Sequence, residues 1–195
     1  MRTFRRALLL ALAAAVFAPA ARAQSFGLGI AYGLPNDVTH DFQLDNFKPS
    51  EVVGWFDYRM EERTLVRLTY GNMRTFQTDA GETVETSTGS LTIPEFKERI
   101  MYGLVGVSYT FFEGFYTSGI FAGIGGYHIR PDTVPPEYAA YSDENETVFG
   151  WHGGVDGEFR LRKYLYLSIR FTYHNISAHP HRQFVNMDFG LVGRF

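Results

Sequence analysis

The segment Phe184-Val-Asn-Met-Asp-Phe-Gly-Leu-Val-Gly-Arg-Phe195 decides the fold of this chain. Every odd position from 185 onward is apolar or glycine, whereas the even positions carry Asn186, Asp188 and Arg194. This period of two predicts a β-strand with one apolar and one polar face that stops on an exposed aromatic residue. A membrane β-barrel accounts for such an ending, because its last strand pairs with the first and turns its apolar face to lipid.

The other end of the chain has the features of a secretory signal peptide. Arginines at positions 2, 5 and 6 precede an apolar run from Ala7 to Ala18, and Ala21-Arg-Ala23 has the small-x-small pattern of a cleavage site. The apolar run is too short to cross a bilayer as a helix. We therefore expect residues 1–23 to be a cleaved signal peptide and residues 24–195 to form one domain.

Composition narrows the class of the mature protein. The chain has no cysteine, which excludes a lipoprotein anchor and a disulfide framework. Without the four arginines of the signal peptide, 14 basic residues face 21 acidic ones, a formal charge of −7. This balance argues against nucleic acid as a partner. No segment of the mature chain is long and apolar enough for a transmembrane helix.

Alternation along the mature chain predicts eight strands. They lie near residues 25–34, 51–60, 63–72, 97–112, 115–130, 147–161, 164–176 and 183–195. The seventh is clearest, with an apolar face from Leu165 to Tyr173 and a polar face from Tyr164 to His174. The fifth is weakest, since glycines blur its two faces.

The connections between these strands alternate strictly in length. Tight turns at residues 61–62, 113–114 and 162–163 alternate with longer connections at 35–50, 73–96, 131–146 and 177–182. A barrel whose tight turns face the periplasm and whose long loops face outside has this arrangement. A soluble β-sandwich, the alternative, does not require it. We therefore predict an all-β, eight-stranded, antiparallel up-and-down transmembrane barrel.

Aromatic residues on the predicted outer face fall into two bands, as two membrane interfaces require. The band near the outer strand ends comprises Tyr32, Tyr70, Trp151 and Tyr173, with Tyr127 added to it. The band near the periplasmic ends comprises Phe26, Tyr58, Tyr109, Phe111, Phe159 and Phe195. Positions between the bands, such as Leu28, Leu68 and Leu167, are aliphatic.

With these patterns, the mature chain resembles the small eight-stranded outer-membrane barrels of the OmpA/OmpX type. The resemblance implies location in the outer membrane, contact with its lipid and lipopolysaccharide, and a monomer without a cofactor. The last strand is also similar to the signal that the outer-membrane assembly machinery reads, through Met187, Phe189, Leu191 and Phe195. Gly193 departs from that signal, because a bulky residue is usual there.

The predicted interior face carries many charges. They are Asp57, Arg59, Arg67, Asp156, Glu158, Arg160, Arg170, Asp188 and Arg194, accompanied by Tyr164, Tyr166, His152 and His174. An eight-stranded barrel is only wide enough to be filled by side chains, and buried charges must be paired. We predict a structural network of ion pairs. A narrow path for a proton or small solute is the alternative, and a wide pore is excluded.

The segment His174-Asn-Ile-Ser177 is the strongest enzyme candidate. Lipid A deacylases are barrels of this size, and their outer wall carries a His-x-Ser-Asn sequence. Here the histidine and serine are three positions apart, which places them on opposite faces of a strand, and Ala178 follows the serine. We therefore expect His174 to be an interior residue and the protein to be no enzyme, with a deacylase-like activity as the alternative.

Two further motifs are weak. His179 and His181, close to His174, could bind a metal, but no carboxylate or cysteine stands at a fixed spacing. Gly27-x-Gly29 followed by Gly33 is similar to a nucleotide loop, but it lies inside the first strand, where small residues leave room for inward arginines. We expect no metal and no nucleotide.

The three long loops, 35–50, 73–96 and 131–146, hold twelve acidic residues against Lys48 and Arg74. The middle loop is rich in Thr, Ser and Glu, which predicts mobility. The loops are either a tolerant solvated surface or a surface for adhesion or for bridging lipopolysaccharide phosphates through divalent cations. The function predicted from the sequence is therefore envelope integrity or surface interaction. A narrow channel or a binder of small ligands remains an alternative.

Overall fold

The computed structural model describes residues 26–39, 50–78, 82–86, 89–93, 96–133, 145–178 and 181–195. The described strands are β1 Phe26–Asp37, β2 Glu51–Arg59, β3 Thr64–Thr78, β4 Glu82–Thr86, β5 Gly89–Ile93, β6 Phe96–Phe112, β7 Tyr116–Thr133, β8 Glu146–Arg162, β9 Leu165–Ile176 and β10 Arg182–Arg194. Within these residues there is no helix long and apolar enough to cross a membrane. The predicted signal peptide lies outside them.

Eight of these strands close into one antiparallel barrel in the order β1-β10-β9-β8-β7-β6-β3-β2. At the seam, Gly27 pairs with Arg194 and Asp37 with Phe184, so that no strand edge is left in the barrel wall. Backbone hydrogen bonds between Phe26 and Phe195, at 2.8 and 3.1 Å, extend the seam to the last residue. The predicted fold class is confirmed.

The two ends of the barrel differ. One end, which we call the turn end, carries the start of β1, the end of β10 and the tight turns at 60–63, 113–115 and 163–164. The other, the loop end, carries the long connections, and β4 and β5 pair there as a separate hairpin. This hairpin was not predicted, because the Thr, Ser and Glu residues between 77 and 92 show no apolar alternation. Strands β3, β6, β7 and β8 are also longer than predicted at the loop end.

The alternation of exposed and buried positions along each strand shows that successive side chains point alternately out of the barrel and into it. In β9 the even positions from Tyr166 to Ile176 are buried, whereas Leu165, Leu167 and Phe171 are exposed. Both aromatic bands are on the outer surface as predicted, with one exception: Tyr127 is wholly buried inside the barrel. The odd positions of β7, including Phe121, face inward. Because β7 is rich in glycine, its sequence does not show which positions these are.

Tyr164 is the second misplaced aromatic residue. It lies in the turn before β9 rather than inside the barrel, is 45% exposed, and stacks on Phe195 with 6.2 Å between ring centroids. The strand alternation had been extended one residue too far, since β9 begins at Leu165. Tyr164 therefore belongs to the outer surface at the turn end.

Glycines on the inner wall make room for large side chains of neighbouring strands. A Cβ at Gly29 would overlap the Trp55 ring, and one at Gly71 would overlap the Tyr102 ring. Van der Waals packing does not allow such overlap. The glycines of β1 and β3 thus set where the interior aromatic rings lie.

Candidate functional site

The turn-end half of the interior contains a network of ion pairs centred on Arg67. Its guanidinium donates to both carboxylate oxygens of Asp57, at 2.7 and 3.0 Å, and to Asp156 Oδ2 at 2.8 Å. Asp57 lies opposite Arg67 in the β2–β3 register, but Asp156 reaches it from β8 across the barrel. Because Arg67 and Asp57 are almost fully buried, their charges compensate each other rather than facing water.

Arg194 continues this network toward the turn end. It donates to Glu158 through Nε at 2.7 Å and through the second terminal nitrogen at 2.5 Å, a bidentate pair. Its other terminal nitrogen lies 3.7 Å from Asp57 Oδ2. The last strand is thereby joined across the interior to β8 and β2.

Arg170 lies between two aromatic rings. Its Cζ is 4.4 Å from the Trp55 ring centroid and 4.7 Å from that of Phe121. The strand register places Asp156 and Asp188 on either side of it. Arginine favours such stacked positions, because its flat guanidinium is weakly hydrated.

The loop-end half of the interior is held by hydrogen bonds between Glu51 and its neighbours. Tyr102 donates its hydroxyl to Glu51 Oε1, and Asn186 Nδ2 donates to Oε2 at 2.5 Å. A Cβ at Gly33 would overlap Asp188 Oδ1 and lie 2.5 Å from Glu51 Oε2, so only glycine admits these two carboxyl groups here. Close by, Tyr127 bonds to His174 Nδ1 at 2.9 Å.

A set of fully buried apolar side chains packs beside these groups. Its members are no more than 1% exposed and come from four strands: Met73, Ile100, Ile176 and Phe184. Each lies near the loop end of its strand. Together with the ion pairs, these side chains fill the barrel, as expected for eight strands.

Three arginines form a row on the outer wall near the loop end. Arg74, Arg99 and Arg130 are consecutive partners across β3, β6 and β7. Within the part of the chain that the structure describes, Asp132 is the carboxylate paired with them, 3.0 Å from Arg99 and 3.8 Å from Arg74. No described side chain pairs with Arg130. Among these four residues the formal charge is therefore +2.

The height of this arginine row follows from the strand geometry. Tyr70, in the outer aromatic band, is four residues below Arg74 on the same face of β3. At about 3.3 Å per residue and a tilt of about 45°, the row lies roughly 9 Å beyond the aromatic band. The row therefore lies outside the hydrocarbon core, on the headgroup side of the aromatic band.

Below the arginine row the outer wall has a gap. Gly103 and Gly126 are paired, and a Cβ on either would meet no atom within 4 Å. Tyr70 and Phe149 flank them in the same row of the sheet. The gap is thus a shallow slot in the lipid face, bounded by two aromatic rings.

Comparisons with known proteins identify the family. The model of the outer membrane protein beta-barrel domain matches residues 7–195. The chain belongs to this family. Its place is the outer membrane of the cell, as predicted. A comparison with curated protein sequences gave no match.

Solved structures of outer-membrane proteins share the barrel. Ail of Yersinia pestis, in complex with the heparin analogue sucrose octasulfate, is 12% identical and has a TM-score of 0.57, with 89% of this chain and 100% of Ail covered. Neisserial surface protein A is 12% identical with a TM-score of 0.56, covering 88% and 97%. A major outer membrane protein of Thermus thermophilus is 11% identical with a TM-score of 0.55, covering 89% and 100%. At these identities the likeness is one of fold.

Within this outer-membrane barrel, the predicted charges fall into two groups. Those inside the wall are Asp57, Arg67, Asp156, Glu158, Arg170, Asp188 and Arg194. Arg59 and Arg160 lie instead at the turn-end opening, where Arg59 pairs with Glu113 at 3.5 Å and donates to the Glu62 carbonyl at 3.2 Å. Both stand near strand ends, where the wall no longer covers them.

The candidate catalytic pair is not assembled. His174 is 1% exposed, lies inside the barrel and bonds to Tyr127, whereas Ser177 is exposed beyond the end of β9. The described residues contain no cluster of three or more His, Asp or Glu arranged to hold a metal. His179 lies outside the described residues. At the glycines of β1, Gly27 faces Arg194 and Gly29 faces Trp55, which leaves no phosphate loop there.

The residues of the predicted assembly signal lie along the outer face of β10. Phe189, Leu191 and Phe195 are exposed, and Met187 is partly exposed. A Cβ at Gly193 would lie 2.9 Å from the Phe195 ring. The terminal ring therefore covers the place that a bulky residue at 193 would take.

The arginine row was missed from the sequence. A sequence feature that could have revealed it was present: each arginine stands at an outward-facing position of its strand, beyond the last apolar residue on that face. What the sequence does not contain is the register that brings three distant strands to one height.

Proposed function

We propose that this protein is a non-enzymatic outer-membrane barrel that contributes to envelope integrity by holding the phosphates of lipopolysaccharide at its arginine row. The observation that carries the proposal is the excess, among the described residues, of guanidinium groups over carboxylates at Arg74, Arg99 and Arg130. Arginine binds phosphate oxygens through paired N–H donors. The row lies on the headgroup side of the aromatic band, within reach of phosphates of the outer leaflet.

The surroundings of the row fit a lipid with acyl chains. The slot at Gly103 and Gly126 opens on the lipid face directly below Arg99 and Arg130 on the same strands. One acyl chain could lie there between Tyr70 and Phe149 while its headgroup phosphate contacts the row. Ail, which shares the fold, was solved with sucrose octasulfate, another polyanion.

The acidic loops fit the same role. The sequence of the three long connections contains twelve carboxylates. Divalent cations bind carboxylate and phosphate oxygens alike, so bridges between loop and lipid would strengthen the outer leaflet. Surface interaction through these loops is the second part of the proposed function.

The test is the amount of lipopolysaccharide retained by the purified protein. The triple variant Arg74→Gln, Arg99→Gln, Arg130→Gln should retain at least about tenfold less, since each cation near an anionic surface contributes about 1 kcal/mol. The matched control is Arg63→Gln, Arg162→Gln, Lys163→Gln, which removes the same charge at the turn end. Equal retention by both triple variants would refute the proposal.

The lipid-modifying alternative is tested separately. We expect the lipid A mass spectrum of cells to be the same with and without the protein, because His174 and Ser177 are apart. Loss of an acyl chain that depends on either residue would show a deacylase instead. For a channel, we expect no single-channel conductance in planar bilayers, because an eight-stranded barrel is filled by side chains.

A further inference from the structure

A cavity of about 290 Å³ opens at the turn end of the barrel. Three guanidinium groups and three hydroxyl groups line it: Arg59, Arg160, Arg194, Thr110, Thr117 and Tyr166. These residues come from β2, β6, β7, β8, β9 and β10, so the barrel wall itself forms the cavity. We call it the mouth pocket.

The three arginines of the mouth pocket differ in how firmly they are paired. Arg194 is held by the bidentate contact with Glu158. Arg59 donates to the Glu62 carbonyl at 3.2 Å and pairs with Glu113 at 3.5 Å, but that carboxylate is 53% exposed, so solvent weakens the ion pair. Arg160 has no ion pair with any side chain that the structure describes. Arg160 is thus available to an anion, and Arg59 becomes available to one that displaces Glu113.

The floor of the mouth pocket is closed. Arg194 spans from Glu158 to Asp57, and Asp57 is bound in turn to Arg67. A solute that enters from the turn end therefore stops at this network. The pocket therefore ends at these ion pairs.

We propose that the mouth pocket binds the oxyanion of a small solute, a carboxylate or a phosphate group. Arg160 and Arg59 would supply forked N–H donors, and the Thr110 and Thr117 hydroxyls would supply further hydrogen bonds. Binding would displace Glu113 from Arg59. This site is independent of the arginine row, which lies at the opposite end of the barrel.

The experiment is calorimetric titration of the full chain, folded in uncharged detergent, with inorganic phosphate and with acetate at constant ionic strength. Saturable one-site binding is expected for at least one anion, and the preferred one tells a phosphate-bearing from a carboxylate-bearing solute. Arg160→Gln should weaken binding about tenfold or more, since it removes charge-assisted hydrogen bonds. Glu113→Gln should strengthen it, because the competing carboxylate is gone.

The matched control is Arg162→Gln, which removes the same charge from the same strand outside the pocket. It should leave the affinity within about twofold. Gel electrophoresis in detergent verifies that each variant is folded, because a folded barrel migrates faster before boiling than after it. Absence of saturable binding for both anions, or equal losses for Arg160→Gln and Arg162→Gln, would overturn the proposal.

Discussion

At the residue scale, glycines on the inner and outer faces of the barrel wall have different amounts of free space around them. A Cβ at Gly29 would penetrate the Trp55 ring, whereas one at Gly126 would point into open space on the lipid face. Gly29→Ala should therefore lower the free energy of unfolding by about 1–3 kcal/mol through overpacking. Gly126→Ala is the control and should change it little. Reversible urea unfolding in lipid vesicles measures both, and equal effects would contradict the packing at Trp55.

Also at this scale, Arg67 is the centre of the interior charges. Arg67→Met leaves Asp57 and Asp156 without their strongest partner, and removing one member of a buried ion pair costs about 3–5 kcal/mol. The same unfolding measurement should show that loss. Arg63→Met, on the exposed turn before β3, is the matched control and should cost less than about 0.5 kcal/mol. A small loss for Arg67→Met would mean that the network does not hold the barrel together.

At the element scale, the sequence predicted which side chains face lipid and which face the interior. It did not predict which residues of distant strands contact each other. Lipid requires an apolar outer face, so alternation alone placed Leu28, Leu68 and Leu167 correctly. Glycine-rich β7 concealed its parity, and Tyr127 was misassigned for that reason. Pairs such as Arg67 with Asp156, 89 residues apart, depend on the strand register, which local patterns do not encode. The arginine row escaped prediction for the same reason.

The last strand leads to a prediction of its own. Phe195 stacks on Phe26 at 5.4 Å and covers Gly193, so its ring completes the seam between β10 and β1. Phe195→Ala should slow assembly and lower the fraction of folded, heat-modifiable protein in membranes. Phe115→Ala, at a turn and 76% exposed, is the control. If both variants assemble at the wild-type rate, the terminal aromatic residue is not part of the assembly signal.

At the scale of the whole molecule, the two ends of the closed barrel differ in charge. Acidic residues gather in the loop-end connections, whereas Arg63, Arg162 and Lys163 stand at the turn end. The filled interior leaves the outer wall with its arginine row, the long loops and the mouth pocket as the surfaces of the proposed functions. All of these proposals depend on one claim, that eight strands close into a barrel in the outer membrane.

Disulfide cross-linking across the seam, in isolated outer membranes, tests that claim most directly. The chain has no cysteine, so Ile30→Cys with Leu191→Cys, which are paired between β1 and β10, introduces the only thiols. Oxidation should join them and change the migration of the boiled, unreduced chain. Ile30→Cys with Leu68→Cys, separated by β2, should not cross-link. An unlinked first pair, or protein recovered in the soluble periplasmic fraction, would contradict the closed membrane barrel.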